Sequence, residues 1–220
     1  MKKILLAALA AMFVLTLPGC ALSGRGGAAE FSPAESCAYI KKDGSLQWAS
    51  VETAEQGDYS EEELAAYAKE RISAFNSALG KEASAENKSG QEKLPAAFVS
   101  CRLDDKKAVL ITEYDTPARL IEFAEEIGDY NVGFTLLETG SPEDIAGACG
   151  DPEMVDTRGK AVEDPLAAAQ KAGSSVAVAA EGQGIIETER KILYVSQGCT
   201  LLSEHRVQTA DKAVSCIVLE

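Results

Sequence analysis

Two strand-like segments followed by an amphipathic helix occur twice in this chain, over about residues 37–79 and 98–127. Pairs of strands that precede a helix do not give the strict strand–helix alternation of a parallel sheet. We therefore predict an α+β fold with a mainly antiparallel sheet and two principal amphipathic helices. The repeated order is compatible with a duplicated unit and with two parts of one sheet.

A hairpin turn is predicted in the first of these units. Asp43-Gly44 lies between two strand-like segments, and Asp-Gly is typical of a two-residue type I′ turn, in which both central residues have positive φ. With these two residues as the loop, Tyr39 lies opposite Trp48, and we expect their rings to pack across the strands.

The first helix has the clearest boundaries in the sequence. Ser60 and Glu63 have the spacing of a capping box, and Gly80 is typical of a helix end. Apolar residues recur at spacings of three and four along one face. They are Leu64, Tyr67, Ala68, Ile72, Phe75 and Leu79. We therefore expect this face of the helix to be buried.

The second principal helix and the last part of the chain have equally local signals. Thr116-Pro117 and Gly128 delimit the helix, with proline at its first position. After Lys191 the sequence predicts only strands, the last of them over residues 213–219. Because that strand is strongly apolar, we expect it to be internal to a sheet.

The N-terminus has the three parts of a secretory signal. Met1-Lys2-Lys3 is positively charged, residues 4–17 are mostly apolar, and Leu17-Pro18-Gly19-Cys20 follows. That last segment resembles the lipobox of bacterial lipoproteins. The resemblance implies that residues 1–19 are a lipoprotein signal peptide and that Cys20 is lipidated. It also implies that the protein is lipid-anchored at the extracytoplasmic face of the cell membrane.

Composition divides the remainder into a tether and a domain. Residues 20–36 are rich in Gly, Ala and Ser without apolar periodicity, which predicts a flexible tether. Residues 37–220 are predicted to form a single α+β domain, with a possible weak internal boundary near residues 150–160.

The chain is strongly acidic. Its net charge is −14, and removal of Lys2 and Lys3 with the signal peptide makes the mature chain −16. Such a surface repels nucleic acid and anionic lipid headgroups. We therefore expect no nucleic-acid partner, and contact with the membrane through the lipid on Cys20.

Five cysteines remain once Cys20 is lipidated, and no two have Cys-x-x-Cys spacing. They are Cys37, Cys101, Cys149, Cys199 and Cys216. An odd number outside the cytoplasm leaves at least one free thiol or an intermolecular bond. We expect buried thiols, with one or two disulfides as the alternative.

The sequence contains no recognisable catalytic motif. The Gly-x-Ser-x-Gly motif and the acidic calcium loop are missing, and His205 is the only histidine. We expect His205 to be an exposed sheet or turn residue, and we predict neither a catalytic residue nor a cofactor or metal.

The predicted function is a non-catalytic interaction module with an unknown protein or small-molecule partner; the alternative is a small solute- or ion-binding lipoprotein. The whole chain loosely resembles small, uncharacterised clostridial-type lipoproteins of Gram-positive bacteria, which implies a location and no activity.

Overall fold

Two β-sheets and four helices make up the part of the chain that the structure describes. The structure is a computed structural model, and it describes residues 31, 33–53, 59–104 and 106–220. Cys20 and the signal peptide lie outside these residues. The helices are α1 (Glu61–Ala78), α2 (Pro117–Ile127), α3 (Pro142–Cys149) and α4 (Pro165–Ala172). The strands are β1 (Cys37–Ile40), β2 (Leu46–Thr53), β3 (Ala96–Asp104), β4 (Lys107–Tyr114), β5 (Phe134–Gly140), β6 (Met154–Asp156), β7 (Ala161–Val162), β8 (Ala177–Gly182), β9 (Ile185–Thr188), β10 (Ile192–Ser196), β11 (Thr200–Ser203), β12 (Arg206–Gln208) and β13 (Ser215–Leu219).

The first sheet has the strand order β11-β12-β9-β1-β2-β4-β3, and the second has the order β5-β8-β13-β10-β6-β7. Every strand pair is antiparallel except β1–β9, which is parallel. The predicted α+β class with a mainly antiparallel sheet is therefore confirmed. Both predicted hairpins belong to the first sheet, and the last strand is internal, between β8 and β10.

The main hydrophobic core contains side chains from both sheets and from both long helices. A smaller core lies on the other face of the second sheet and includes Ile145 of α3 and Ala169 of α4. Along β13 the side chains alternate between these cores, as the two-residue period of a strand requires. Ile217 faces the main core, whereas Cys216 faces the smaller one. This burial on both faces explains why the strand is so apolar.

Local sequence signals determine the start of α1. The Ser60 hydroxyl accepts a hydrogen bond from the Glu63 N–H, and the Glu63 carboxylate accepts one from the Ser60 N–H. The predicted capping box is therefore present. Farther along the helix, Phe75 packs edge-on against Phe123 of α2, with ring centroids 5.2 Å apart. The two helices thus meet near the end of α1.

The predicted register of the first hairpin is wrong by one residue. Ala38, not Tyr39, pairs with Trp48. The loop is longer than two residues, because the Lys41 N–H donates to the Ser45 carbonyl at 2.9 Å. Within this loop, Gly44 is the one residue with a positive φ, at 82°, whereas a type I′ turn needs two such residues. Since side chains alternate along a strand, this shift places Tyr39 on the face opposite to Trp48.

Residues Pro33–Glu220 form one compact unit. Within its described residues, no helix combines the length and the apolar character that a membrane span requires.

Candidate functional site

A cleft of about 440 Å³ lies over the first sheet. Its floor comes from alternate residues of β2 and β4, which point to one face of the sheet. Trp48 pairs with Thr112, and Ser50 pairs with Leu110, so these four side chains form adjacent rows. The regular pairing of two central strands therefore fixes the floor.

Helices α1 and α2 form the walls of the cleft. Leu64 and Tyr67 come from the first two turns of α1, and Phe123 and Ile127 come from α2. The loop after α2 closes one end and contributes Tyr130. Tyr67 and Tyr130 are 56% and 97% exposed. The mouth of the cleft therefore presents aromatic side chains to solvent.

Trp48 is the buried centre of the floor. It is 4% exposed and packs edge-on against Phe134, with ring centroids 6.4 Å apart. Gly184 leaves room for Phe134, since a Cβ at that position would lie 2.3 Å from the phenyl ring. The Trp48 Nε1 is buried and has no hydrogen-bond partner in the described residues. A buried donor without a partner costs about 1–3 kcal/mol, so this indole is the unsatisfied polar group of the floor.

The neighbouring polar pair on the floor is satisfied. The Thr112 hydroxyl and the Tyr114 hydroxyl lie 3.0 Å apart. Burial raises the pKa of Tyr114, and the charge of Asp129 adds to that effect, although the hydrogen bond with Thr112 opposes it. Tyr114 is therefore neutral at physiological pH, and the carboxylate of Asp129 acts electrostatically on the cleft floor.

The charged residues that line the described cleft are both acidic. Glu52 extends from β2, and Asp129 follows α2. Asn131 bonds to both: its Nδ2 donates to Glu52 Oε1 at 2.7 Å, and its backbone N–H donates to Asp129 Oδ1 at 2.9 Å. Asn131 thus ties the two carboxylates to one end of the cleft. Chemically, this arrangement can hold a ligand with an apolar body and a positive charge.

A second cavity of about 320 Å³ lies between the second sheet and helices α3 and α4. Ile145, Met154 and Leu166 line it, together with the disulfide between Cys149 and Cys216. No lining side-chain nitrogen or oxygen of this cavity is buried without a partner in the described residues. The aromatic cleft is therefore the better candidate site. In the described part of the chain, no group of three or more His, Cys, Asp or Glu residues is arranged to hold a metal ion.

The expectation of buried thiols is wrong for two of the cysteines. Cys149 at the end of α3 and Cys216 on β13 form a disulfide, with Cα atoms 5.7 Å apart. Cys37, Cys101 and Cys199 are free. The packing of α3 against the second sheet brings together residues 67 positions apart, and sequence spacing carries no sign of that contact.

Burial disfavours the thiolate form of two of the free cysteines. Burial raises the pKa of the Cys37 thiol to about 12, and the nearby charge of Glu187 adds to this effect. Burial also raises the pKa of Cys101, with a contribution from Glu61. Since the thiolate is the nucleophile of a cysteine, burial makes both thiols weaker nucleophiles.

His205 is a structural residue on the edge of the first sheet. Its Nδ1 lies 3.0 Å from the Thr188 carbonyl oxygen and 3.1 Å from the Arg190 carbonyl oxygen. Both neighbours are acceptors, so Nδ1 carries a proton and donates to them. The side chain is partly exposed, and it does not line the aromatic cleft.

The sequence does not reveal the cleft, because the apolar spacing of α1 predicts burial along the whole helix. Ala68, Ile72 and Phe75 are buried as expected, whereas Leu64 is half-buried and Tyr67 is exposed. The available signal was weak: Trp48, Ser50 and Glu52 alternate on one strand. Cys20, the one predicted site residue, lies outside the described residues.

Comparison with known protein families, curated proteins and solved structures finds no match for this chain.

Proposed function

We propose that this protein is a lipid-anchored, non-catalytic binding protein at the extracytoplasmic face of the cell membrane, and that it holds a small organic ligand in the aromatic cleft. The observation that supports this proposal best is the set of polar groups at one end of an otherwise apolar and aromatic cleft: the two carboxylates and Asn131, with the unpaired Trp48 indole nitrogen buried in the floor. Of the two functions predicted from the sequence, this arrangement favours the solute-binding one.

The dimensions of the cleft fit this function. Small-molecule sites have volumes of about 300–1,000 Å³ and mostly apolar walls with a few placed polar groups. The cleft has about 440 Å³, walls of Leu, Ile, Phe and Tyr, and its polar groups at the floor and one end. The Tyr114–Thr112 pair is satisfied, whereas the Trp48 indole nitrogen is buried in the floor without a partner in the described residues.

The chain provides its own reporter of binding, because Trp48 is its only tryptophan. The full chain, extracted in detergent, is titrated with amino acids, sugars, peptidoglycan fragments and metal ions while Trp48 emission and the melting temperature are followed. A ligand at one hundred times its Kd adds about 2.7 kcal/mol to stability. We expect at least one class of small organic solute to change the emission saturably and to raise the melting temperature.

Two matched variants locate the site. Ser50→Phe fills the floor of the cleft, whereas Ser100→Phe adds the same side chain at an exposed position on β3. Binding should be lost in Ser50→Phe and kept in Ser100→Phe. Unchanged binding in Ser50→Phe would place the ligand elsewhere and remove the basis of this proposal.

A protein partner is the second candidate, because Tyr67 and Tyr130 are exposed at the mouth of the cleft. No response to the panel, together with a specific protein cross-linked through a photoreactive residue at position 130, would favour this function.

The anchor is tested separately: Cys20→Ala should abolish incorporation of a fatty-acid probe, and continued labelling would contradict lipidation at Cys20.

A further inference from the structure

We infer that the ligand of the aromatic cleft is an organic cation, with an ammonium group held at the Glu52–Asp129 end and an apolar body that carries an oxygen acceptor over Trp48. This inference rests on the proposed function, because it names the chemical class of the ligand for that site.

The charge of the cleft is unbalanced. In the described part of the chain, neither Glu52 nor Asp129 forms an ion pair with a lysine, arginine or histidine. Glu113, on the same strand pair, shows the contrast, because Lys41 and Lys93 lie 3.3 and 3.1 Å from its carboxylate. The two carboxylates of the cleft can therefore pair with a cationic ligand.

Asn131 holds both carboxylates at one end of the cleft. Its side-chain amide and its backbone N–H each donate to one of them, so the two charges converge without bonding to each other. An ammonium group beside them would be attracted by both, and it would still leave one oxygen of each carboxylate bonded to Asn131. Convergent fixed charges of one sign also raise the local concentration of ligands of the opposite sign.

The same cleft is rich in aromatic side chains. Tyr67, Phe123 and Tyr130 line it together with Trp48. Aromatic faces attract ammonium groups through the ring quadrupole, and quaternary ammonium ligands are commonly held this way. An inorganic divalent cation instead prefers a cage of six to eight oxygen ligands. Aromatic walls with two carboxylates therefore favour an organic cation over a metal ion.

The buried indole of Trp48 is a further feature of the cleft that does not depend on charge. The Trp48 Nε1 is a buried donor with no partner in the described residues, on a side chain that lines the cleft. A carbonyl or hydroxyl oxygen on the ligand would supply that partner when the indole adjusts to the bound molecule. The ligand should thus combine a positive charge with an oxygen acceptor.

Acetylcholine and its uncharged carbon isostere, 3,3-dimethylbutyl acetate, test this class, because they share shape and carbonyl and differ only in charge. Each is titrated into the full chain in detergent while Trp48 emission is followed, and calcium chloride is titrated separately. We expect acetylcholine to bind at least tenfold more tightly than the isostere. We also expect a higher salt concentration to weaken the binding of acetylcholine and not that of the isostere, since salt screens charge.

The variants follow the same logic. In Glu52→Gln/Asp129→Asn, which keeps the shapes of both side chains, acetylcholine should bind at least tenfold more weakly and the isostere should be unaffected. Glu138→Gln, an exposed carboxylate on β5, is the matched control and should change neither titration.

Equal binding of the two probes, lost in Ser50→Phe, would overturn the cation inference and leave the cleft as the ligand site. A response to calcium without a response to acetylcholine would overturn it in favour of a metal ion. Binding of neither probe at 50 mM would overturn it as well, and the wider ligand panel would then decide the proposed function by itself.

Discussion

Asn76 joins helix α1 to the first sheet and thereby positions one wall of the cleft. The side chain is fully buried. Its Nδ2 donates to the carbonyls of Ser84 and Ala96, each at 2.8 Å, and its Oδ1 accepts from the Ala96 N–H at 3.0 Å. The start of β3 and the loop that precedes it are therefore both bonded to one amide on the helix.

Replacement of Asn76 by alanine removes all three hydrogen bonds. A typical hydrogen bond contributes about 0.5–1.5 kcal/mol net, and alanine recovers roughly 0.5 kcal/mol through its better helix propensity. Because the peptide groups of Ala96 are left without this buried partner, the loss should lie in the upper part of the range. We expect Asn76→Ala to lower the free energy of unfolding by about 2–4 kcal/mol.

Equilibrium unfolding in urea measures this effect, with Trp48 emission as the probe. The midpoint should fall while the slope stays the same, which indicates a change in stability rather than in compactness. Ser77→Ala is the matched control, since Ser77 is the next residue of α1 and is exposed; it should stay within about 0.5 kcal/mol of the parent, as exposed substitutions usually do.

An Asn76→Ala variant as stable as Ser77→Ala would show that these three hydrogen bonds contribute nothing net. In that case, packing of the apolar residues of α1 alone would hold the helix on the sheet. If instead the loss is as large as expected, the variant should also bind cleft ligands more weakly, because Leu64 and Tyr67 would lose their fixed position.

Two further predictions concern other contacts. The Cys149→Ser/Cys216→Ser variant should lose about 4 kcal/mol in urea unfolding, since the disulfide closes a loop between residues 67 positions apart; a loss under 1 kcal/mol would contradict the entropic argument. Burial tends to raise the pKa of Glu113, but hydrogen bonds and charges from Lys93 and Lys41 outweigh it and lower that pKa. The resulting stabilisation is present above the unfolded-state pKa and is lost as pH falls through the folded-state pKa. At pH 7, Glu113→Gln should therefore be less stable than the parent protein, by up to about 1 kcal/mol for such partly exposed pairs. Below about pH 4.5 the stability of the variant should depend less on pH than that of the parent. Parallel curves of unfolding free energy against pH for the two proteins would contradict this.

The two long helices were predictable because their signals are local. The capping box and Gly80 bracket α1, and Thr116-Pro117 and Gly128 bracket α2, within a residue or two of the observed bounds. The partners of the strands were not predictable in this way. β1 pairs with β9, some 150 residues later, through a parallel contact that joins the C-terminal strands to the first sheet. A two-residue period identifies a strand but does not specify its neighbour.

The cleft opens where α2 does not cover the apolar face of α1. The three-and-four spacing of apolar residues continues along the whole helix, because periodicity reports which side chains share a face and not what lies opposite. At the later turns Phe123 covers that face through its contact with Phe75. At the first turns Leu64 and Tyr67 face the open space above Trp48 instead. The same pattern therefore builds core at one end of the helix and a ligand wall at the other.

The position of the two carboxylates at the end of the cleft is even harder to predict from the sequence than its walls, because it depends on the tertiary structure. Glu52 and Asp129 are 77 residues apart in the sequence, among 35 acidic residues of which most are solvated surface. They become a pair only because the loop after α2 folds back on β2 and Asn131 bonds to both. Removal of the Asn131 side chain amide should accordingly weaken cation binding through Glu52 alone, because the backbone N–H that holds Asp129 is kept. Asn131→Ala should then bind acetylcholine less tightly than the parent and more tightly than Glu52→Gln/Asp129→Asn. Affinity as low as that of the double variant would contradict this, because it would mean that the side-chain amide also holds Asp129 in place or itself contacts the ligand.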